Sequence, residues 1–278
     1  VVGYKTHAKM LLIVRRENSE LRRYVHIGTG NYHPTTSTVY TDFGFMTSDP
    51  EIGEDIHRVF QQLTGLGKVK RMTKLLQAPF TLKTTLHRLI AEEAERAKSK
   101  KTARIILKIN SLSERTTVAA LYAASQAGVQ IDLIVRGICC LKPGVAGISD
   151  NIRVISVVGR FLEHSRVFYF YAGGDELVYL SSADLMGRNL HRRVELAFPV
   201  EDKKLKKRII QEGLQVYLDD NTRAWDMQPD GNYVCRSPAA NQQSLCAQKT
   251  LVLQLADQGE FEELFQNSFY KPLDVKDV

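Results

Sequence analysis

Short apolar runs and stretches of helical period alternate along the chain. Residues 8–16 and 21–27 read as two strands joined by the polar Glu17, Asn18 and Ser19, the pattern of a β-hairpin. A short strand is expected at 43–46. Asp49-Pro50 then opens a helix, with Asp at the N-cap and Pro at the first position. Ile52, Ile56, Phe60 and Leu63 fall on one face of it, and Gly65 closes it. A charged amphipathic helix is predicted over 82–100. Strands around Ile105, Leu107 and Ile109 and over 131–135 flank a helix at 113–127 that stops at Gly128. That is a β-α-β unit, whose right-handed crossover makes the strands parallel. Residues 152–158 form another strand, and 167–171 with 176–180 form a hairpin around Gly173-Gly174. An apolar strand ends at Pro199. The helix after it is expected to bury Leu205, Ile209, Ile210 and Leu214. Beyond Asn221 the pattern thins to a loop and a terminal helix, with Trp225 expected to pack inside.

This alternation is that of an α/β protein. A boundary is expected near 66–79, where Gly65, Gly67 and Pro79 flank a basic stretch. The 278 residues suffice for one large core or two moderate ones. No apolar run is long enough for a bilayer and no signal segment opens the chain, so it reads as soluble, intracellular and cytoplasmic. The chain starts without Met and enters its first strand almost at once, which reads as a piece of something longer. Cys139 and Cys140 are adjacent, and Cys235 and Cys246 lack zinc-site spacing, so all four read as free thiols.

The net charge of +7 points to a polyanionic partner. Nucleic acid is not expected, for want of a zinc-finger, KH or RNP-type motif. The run Lys203-Lys204-Leu205-Lys206-Lys207-Arg208 reads as the solvated face of a helix.

Candidate chemistry begins at His7-Ala8-Lys9, ahead of an apolar strand. Alternation places the imidazole and the ammonium on one face. His164-Ser165-Arg166 repeats the arrangement ahead of a second apolar strand. The small-residue segment Gly28-Thr29-Gly30 answers Ser181-Ser182-Ala183, and in the first of these the glycines are expected to bring backbone N–H groups close to an anion. Asp42, with the strand, proline and helix after it, answers Glu195. Arg136 stands at the carboxyl end of a parallel strand, where ligands of open α/β sheets bind. His26, His33, His57, His87 and His191 read as surface or satisfied histidines.

A duplication with one H-x-[KR] in each half resembles the phospholipase D-like superfamily, although Val14 and Tyr171 stand where that family's H-x-K-x-x-x-x-D motif has aspartate. Lys5 to Met10, Gly28 to Tyr32, Tyr40-Thr41-Asp42, Ile134 to Gly137, Gly147 to Arg153 and Leu162 to Arg166 resemble more closely polyphosphate kinase of the first type. The resemblance implies two phospholipase D-like α/β domains with mixed sheets flanked by helices. The first, 1–74, is truncated at its N-terminus, and the second spans 75–278, with the active site between them. It further implies reversible transfer of the ATP γ-phosphate to inorganic polyphosphate, with magnesium, through a phosphohistidine.

By position His7 matches the phosphorylated residue. Tyr40, Arg136 and His164 match nucleotide contacts, and Asp42, Arg193 and Glu195 match pocket neighbours. Lys9 and Arg166 are expected to hold the transferring oxygens and to disfavour a charged His7. The two magnesium-binding arginines of the family, its N-terminal domain and its head domain lie before Val1 in this alignment, so no metal ligand is expected within the chain and the fragment alone is expected to be impaired. A homo-oligomer and peripheral membrane association belong to the same implied picture. Two other readings stay open: a phospholipase D-like phosphodiesterase or nuclease, and a non-catalytic polyanion-binding module.

Overall fold

A computed structural model describes residues 4–65 and 71–256. The expected boundary stretch falls partly outside these residues. The chain begins with β1 (Lys5–Thr6), the hairpin β2 (Lys9–Glu17) and β3 (Glu20–Gly28), the single turn α1 (Pro34–Ser37), β4 (Tyr40–Thr41), β5 (Gly44–Thr47) and α2 (Pro50–Leu63). It continues with β6 (Leu76–Ala78), α3 (Leu82–Lys98), β7 (Arg104–Ile109), α4 (Arg115–Gln126), β8 (Gln130–Val135), β9 (Ile152–Val157), β10 (Leu162–Glu163), β11 (Arg166–Phe170) and β12 (Leu177–Ser181). Then come α5 (Gly187–Arg192), β13 (Arg193–Pro199), α6 (Lys203–Ile210), a π turn at Gln211–Gln215, α7 (Val216–Leu218), β14 (Ala224–Met227), β15 (Tyr233–Cys235) and α8 (Ala247–Leu255).

Local signals are obeyed closely. The first hairpin turns on Asn18 and Ser19, both at positive φ, the backbone of a two-residue primed turn. Asp49 caps α2 by accepting the N–H groups of Glu51 and Ile52 at 3.0 and 2.9 Å. The parallel pairing of β7 with β8 follows the predicted crossover.

The architecture is mixed α/β. A large sheet runs in the order β1-β13-β12-β11-β7-β8-β9-β14-β15, with β6 also on β13, beside a three-stranded sheet β2-β3-β5. Along β7, Ile106 joins one apolar cluster and Ile105, Leu107 and Ile109 the other. Both faces are therefore covered, which is why β7 reads as a nearly continuous apolar run. The duplication is visible in the pairing. Strands β2, β3 and β5 run antiparallel in that order, as do β11, β12 and β13.

Three expectations fail. Leu205 remains 38% exposed, because the first turn of α6 stands at the rim of a cleft against β5 instead of over the sheet. Trp225 is 36% exposed on β14, one strand from the sheet edge. The segment after Asn221 holds the β14–β15 hairpin, whose three- and four-residue strands are too short to show a period.

Candidate functional site

Two short parallel pairings build the site. In the first, β1 lies on β13, pairing Lys5 with Arg193 and Thr6 with Val194. In the second, β10 lies on β4, pairing Leu162 with Tyr40 and Glu163 with Thr41. In each pair one strand runs into a histidine and the other into a carboxylate. His7 Nδ1 is 2.9 Å from Glu195, and His164 Nδ1 is 2.9 Å from Asp42. Each histidine is thus oriented by the other half of the duplication.

The likeness extends outward. Lys9 Nζ donates to the His7 carbonyl at 2.7 Å and lies 3.0 Å from His7 Nε2. Arg166 Nη1 donates to the His164 carbonyl at 2.7 Å and lies 3.1 Å from His164 Nε2. The Thr29 hydroxyl donates to Asp42 at 2.6 Å and accepts from the Phe43 N–H at 3.0 Å. Ser182 does the same for Glu195 at 2.6 Å and for the Leu196 N–H at 3.1 Å. The sequence echo between Gly28-Thr29-Gly30 and Ser181-Ser182-Ala183 therefore marks a hydroxyl that steadies each carboxylate. The expected anion loop takes another form. The Thr29 N–H is spent on the Phe43 carbonyl, and a Cβ on Gly30 would collide with the Asp42 side chain. The glycine makes room for the carboxylate.

The two halves differ in exposure and charge. The His7 side chain is 23% exposed, and that of His164 9%. Burial lowers the Lys9 ammonium to about 8; Glu195 opposes this and Arg166 reinforces it. Burial also lowers His164, against the hydrogen bond its ring gives to Asp42 and with help from Arg166. A buried imidazole beside a guanidinium is thereby kept neutral more easily.

Arg166 serves His164, not His7. Its guanidinium forms a two-pronged pair with Asp184, Nε to Oδ1 at 3.1 Å and Nη2 to Oδ2 at 3.0 Å. Burial pushes the Asp184 carboxyl up, but Arg166 and the Asn110 N–H hold it below its ordinary value. Arg193 lies 4.0 Å from Glu195. Tyr40 packs on His164 with ring centroids 4.9 Å apart. Arg136 reaches the Asn110 side chain at 3.5 Å, one residue removed from the His164–Arg166 pair.

Sequence reading missed Asp184 and Asn189, which donates to Glu195 at 2.7 Å. Asp184 had a signal, since it ends the small-residue segment already matched to 28–30. Asn189, on a six-residue helix, had none. Among the described residues no group of three or more His, Cys, Asp or Glu is placed to hold a metal ion. Asp42 and Glu195 are engaged with the histidines and surrounded by Lys9, Arg166 and Arg193, a set that does not fit magnesium. The four cysteines are free. No helix among the described residues is long and apolar enough to cross a membrane.

Fold and site together define a duplicated α/β protein with two H-x-[KR] histidines, each held by a carboxylate from the opposite half. The family profile for polyphosphate kinase C-terminal domain 2 matches residues 75–248, and that for C-terminal domain 1 matches residues 1–69. The chain belongs to the polyphosphate kinase family. It is 60% identical over 242 residues to a polyphosphate kinase of Paraburkholderia phytofirmans, covering 86% of this chain and 35% of that protein. It is 57% identical over 256 residues to a polyphosphate kinase of Pseudomonas aeruginosa, covering 92% and 37%. The crystal structure of polyphosphate kinase from Porphyromonas gingivalis superposes with a TM-score of 0.86 at 38% identity, over 94% of this chain and 40% of that one. The chain thus spans little more than a third of the length of these curated relatives.

Proposed function

We propose that this chain carries the phosphoryl-transfer site of an enzyme that moves the γ-phosphate of ATP reversibly onto inorganic polyphosphate through a phosphohistidine at His7, the site lying between halves that divide near residue 74. The observation that carries this reading is the crossed pair of contacts, His7 to Glu195 and His164 to Asp42. With Nδ1 of His7 bound to Glu195, Nε2 keeps its lone pair with Lys9 Nζ beside it at 3.0 Å, and His7 is the more exposed of the two histidines.

In-line attack of His7 Nε2 on the γ-phosphorus forms a P–N bond. The P–O bond to the β-phosphate breaks, and its electron pair leaves on ADP. The ring becomes cationic as it attacks, and Glu195 opposite Nδ1 stabilises that charge. Lys9 neutralises the transferring oxygens. In the second step a terminal polyphosphate oxygen attacks the phosphorus, the P–N bond breaks, and the neutral ring returns. Arg166, beside His164 Nε2, supplies a second fixed positive charge for phosphate oxygens. Tyr40 stands on the wall of a cavity of about 380 Å³ with Phe161 and Phe43, an aromatic setting suited to a nucleotide contact. The family resemblance implies magnesium as well, but the residues described here do not form a cage for it and no step above runs through it.

The test is incubation of the full-length protein with γ-labelled ATP and magnesium. Acid-labile, base-stable label is expected on His7 and is expected to disappear in His7→Ala. Label that survives that change sinks the nucleophile assignment. His164→Ala is expected to slow transfer while ATP still binds.

A further inference from the structure

Lys108, the penultimate residue of β7, is 2% exposed and plays no part in the chemistry above. Its ammonium donates to Glu163 Oε2 at 2.6 Å and to Ser165 Oγ at 2.8 Å, and lies 3.8 Å from the centroid of the Tyr217 ring. Glu163 and Ser165 are the two residues flanking His164. Side chains alternate along extended backbone, so both flanking residues turn inward where His164 turns toward the site. One ammonium therefore grips the chain on each side of the histidine.

The same node reaches the other member of the pair. Glu163 accepts the Thr41 hydroxyl at 2.8 Å, and Thr41 Oγ1 accepts the His164 N–H at 3.2 Å. Thr41 immediately precedes Asp42. Gln248 of α8 donates to the second oxygen of Glu163 at 2.6 Å. His7 is held differently: its own N–H and that of Ala8 donate to the Val194 carbonyl at 2.9 and 3.1 Å, and its neighbours Thr6 and Ala8 offer no charged side chain, Thr6 being exposed. A buried ion pair is not by default a source of stability, since desolvation offsets its attraction. Its place directly behind one histidine gives it another role.

We propose that Lys108 is a positioning residue for His164, fixing the histidine through Glu163 and Ser165 so that Nδ1 stays on Asp42 and Nε2 on Arg166. The two histidines are thereby made unequal, His164 gripped from behind by a buried ammonium and His7 held by Glu195 and Lys9 alone among side chains of the described residues. The effect on turnover rests on the function proposed above; the effect on the His164 ring does not.

Turnover of the full-length protein is to be compared for Lys108→Met, His164→Ala and the double variant. Lys108→Met is expected to lower kcat by about 10- to 100-fold. In the His164→Ala background it is expected to add no further loss, because its effect passes through the missing ring. An equal loss in both backgrounds marks a general structural role and overturns the proposal. The ring ¹⁵N resonances of His164 read the orientation without any reaction. They are expected to shift in Lys108→Met, and unchanged resonances overturn the proposal whatever the enzyme transfers. Ser165→Ala removes one grip without stranding a charge. If Lys108→Met does not fold, Ser165→Ala carries the same comparisons, with a smaller loss expected.

Discussion

His164 Nδ1 lies 2.9 Å from both carboxylate oxygens of Asp42, a residue 122 positions earlier in the chain. His7 and Glu195 repeat the contact across 188 positions. Each histidine takes its carboxylate from the opposite half, so these two contacts form only when the halves dock. Asp42→Asn keeps the shape but removes the charge that selects the Nδ1–H tautomer. Turnover is expected to fall by about 10²- to 10⁴-fold, the range for losing the carboxylate behind a working histidine. Steady-state kinetics beside an unchanged thermal midpoint checks it; a loss under threefold refutes it.

Gly30→Ala tests the same contact without touching either partner. The new methyl group would collide with the Asp42 side chain, which must swing off His164. Activity is expected to drop toward the Asp42→Asn level. Ala at Gly187, where a Cβ meets nothing within 4 Å, is the control and is expected to behave as wild type.

Lys9 makes both activity and stability depend on pH. Between about 8 and the ordinary lysine value of 10.5, the unfolded chain holds a proton that the folded one has released. Stability therefore rises with pH across that window, by on the order of 3 kcal/mol, and Lys9 adds no slope below it. Urea midpoints at pH 7.5 and 10 are expected to show a rise in wild type that is smaller in Lys9→Met. Activity runs the other way, falling above about pH 8 as the ammonium at His7 is lost. Lys9→Arg is expected to move that falling limb to higher pH, if the larger side chain is accommodated.

Asp55 is fully buried on α2 and accepts the N–H groups of Thr73, Lys74 and Leu75 at 2.8–3.0 Å. It ties α2 to the stretch at 73–75 that leads into β6. Asp55→Ala strands three backbone donors, and chemical denaturation is expected to show a loss above about 3 kcal/mol. A loss below 1 kcal/mol would mean that water replaces the carboxylate.

Much of this molecule was legible from residue order alone. The Asp49-Pro50 cap, the turn at Asn18-Ser19, the β-α-β unit and the hairpin at Gly173-Gly174 depend on chemistry within a few residues, and each forms as read. The repeat was legible too, because matching H-x-[KR] motifs, small-residue segments and acidic residues kept their order in both halves. What the repeat did not disclose was the exchange of partners. Strands β1, β4 and β10 are two residues long, too short for any period, yet they decide which carboxylate meets which histidine. Lys108 carried no signal in the sequence, and Arg166 read as a companion of His7. Local sequence determined the elements and the kinds of chemistry the chain carries. Tertiary structure alone decided that Asp42 belongs to His164 and Glu195 to His7, because those contacts join residues more than a hundred positions apart that only docking of the halves brings within hydrogen-bond reach.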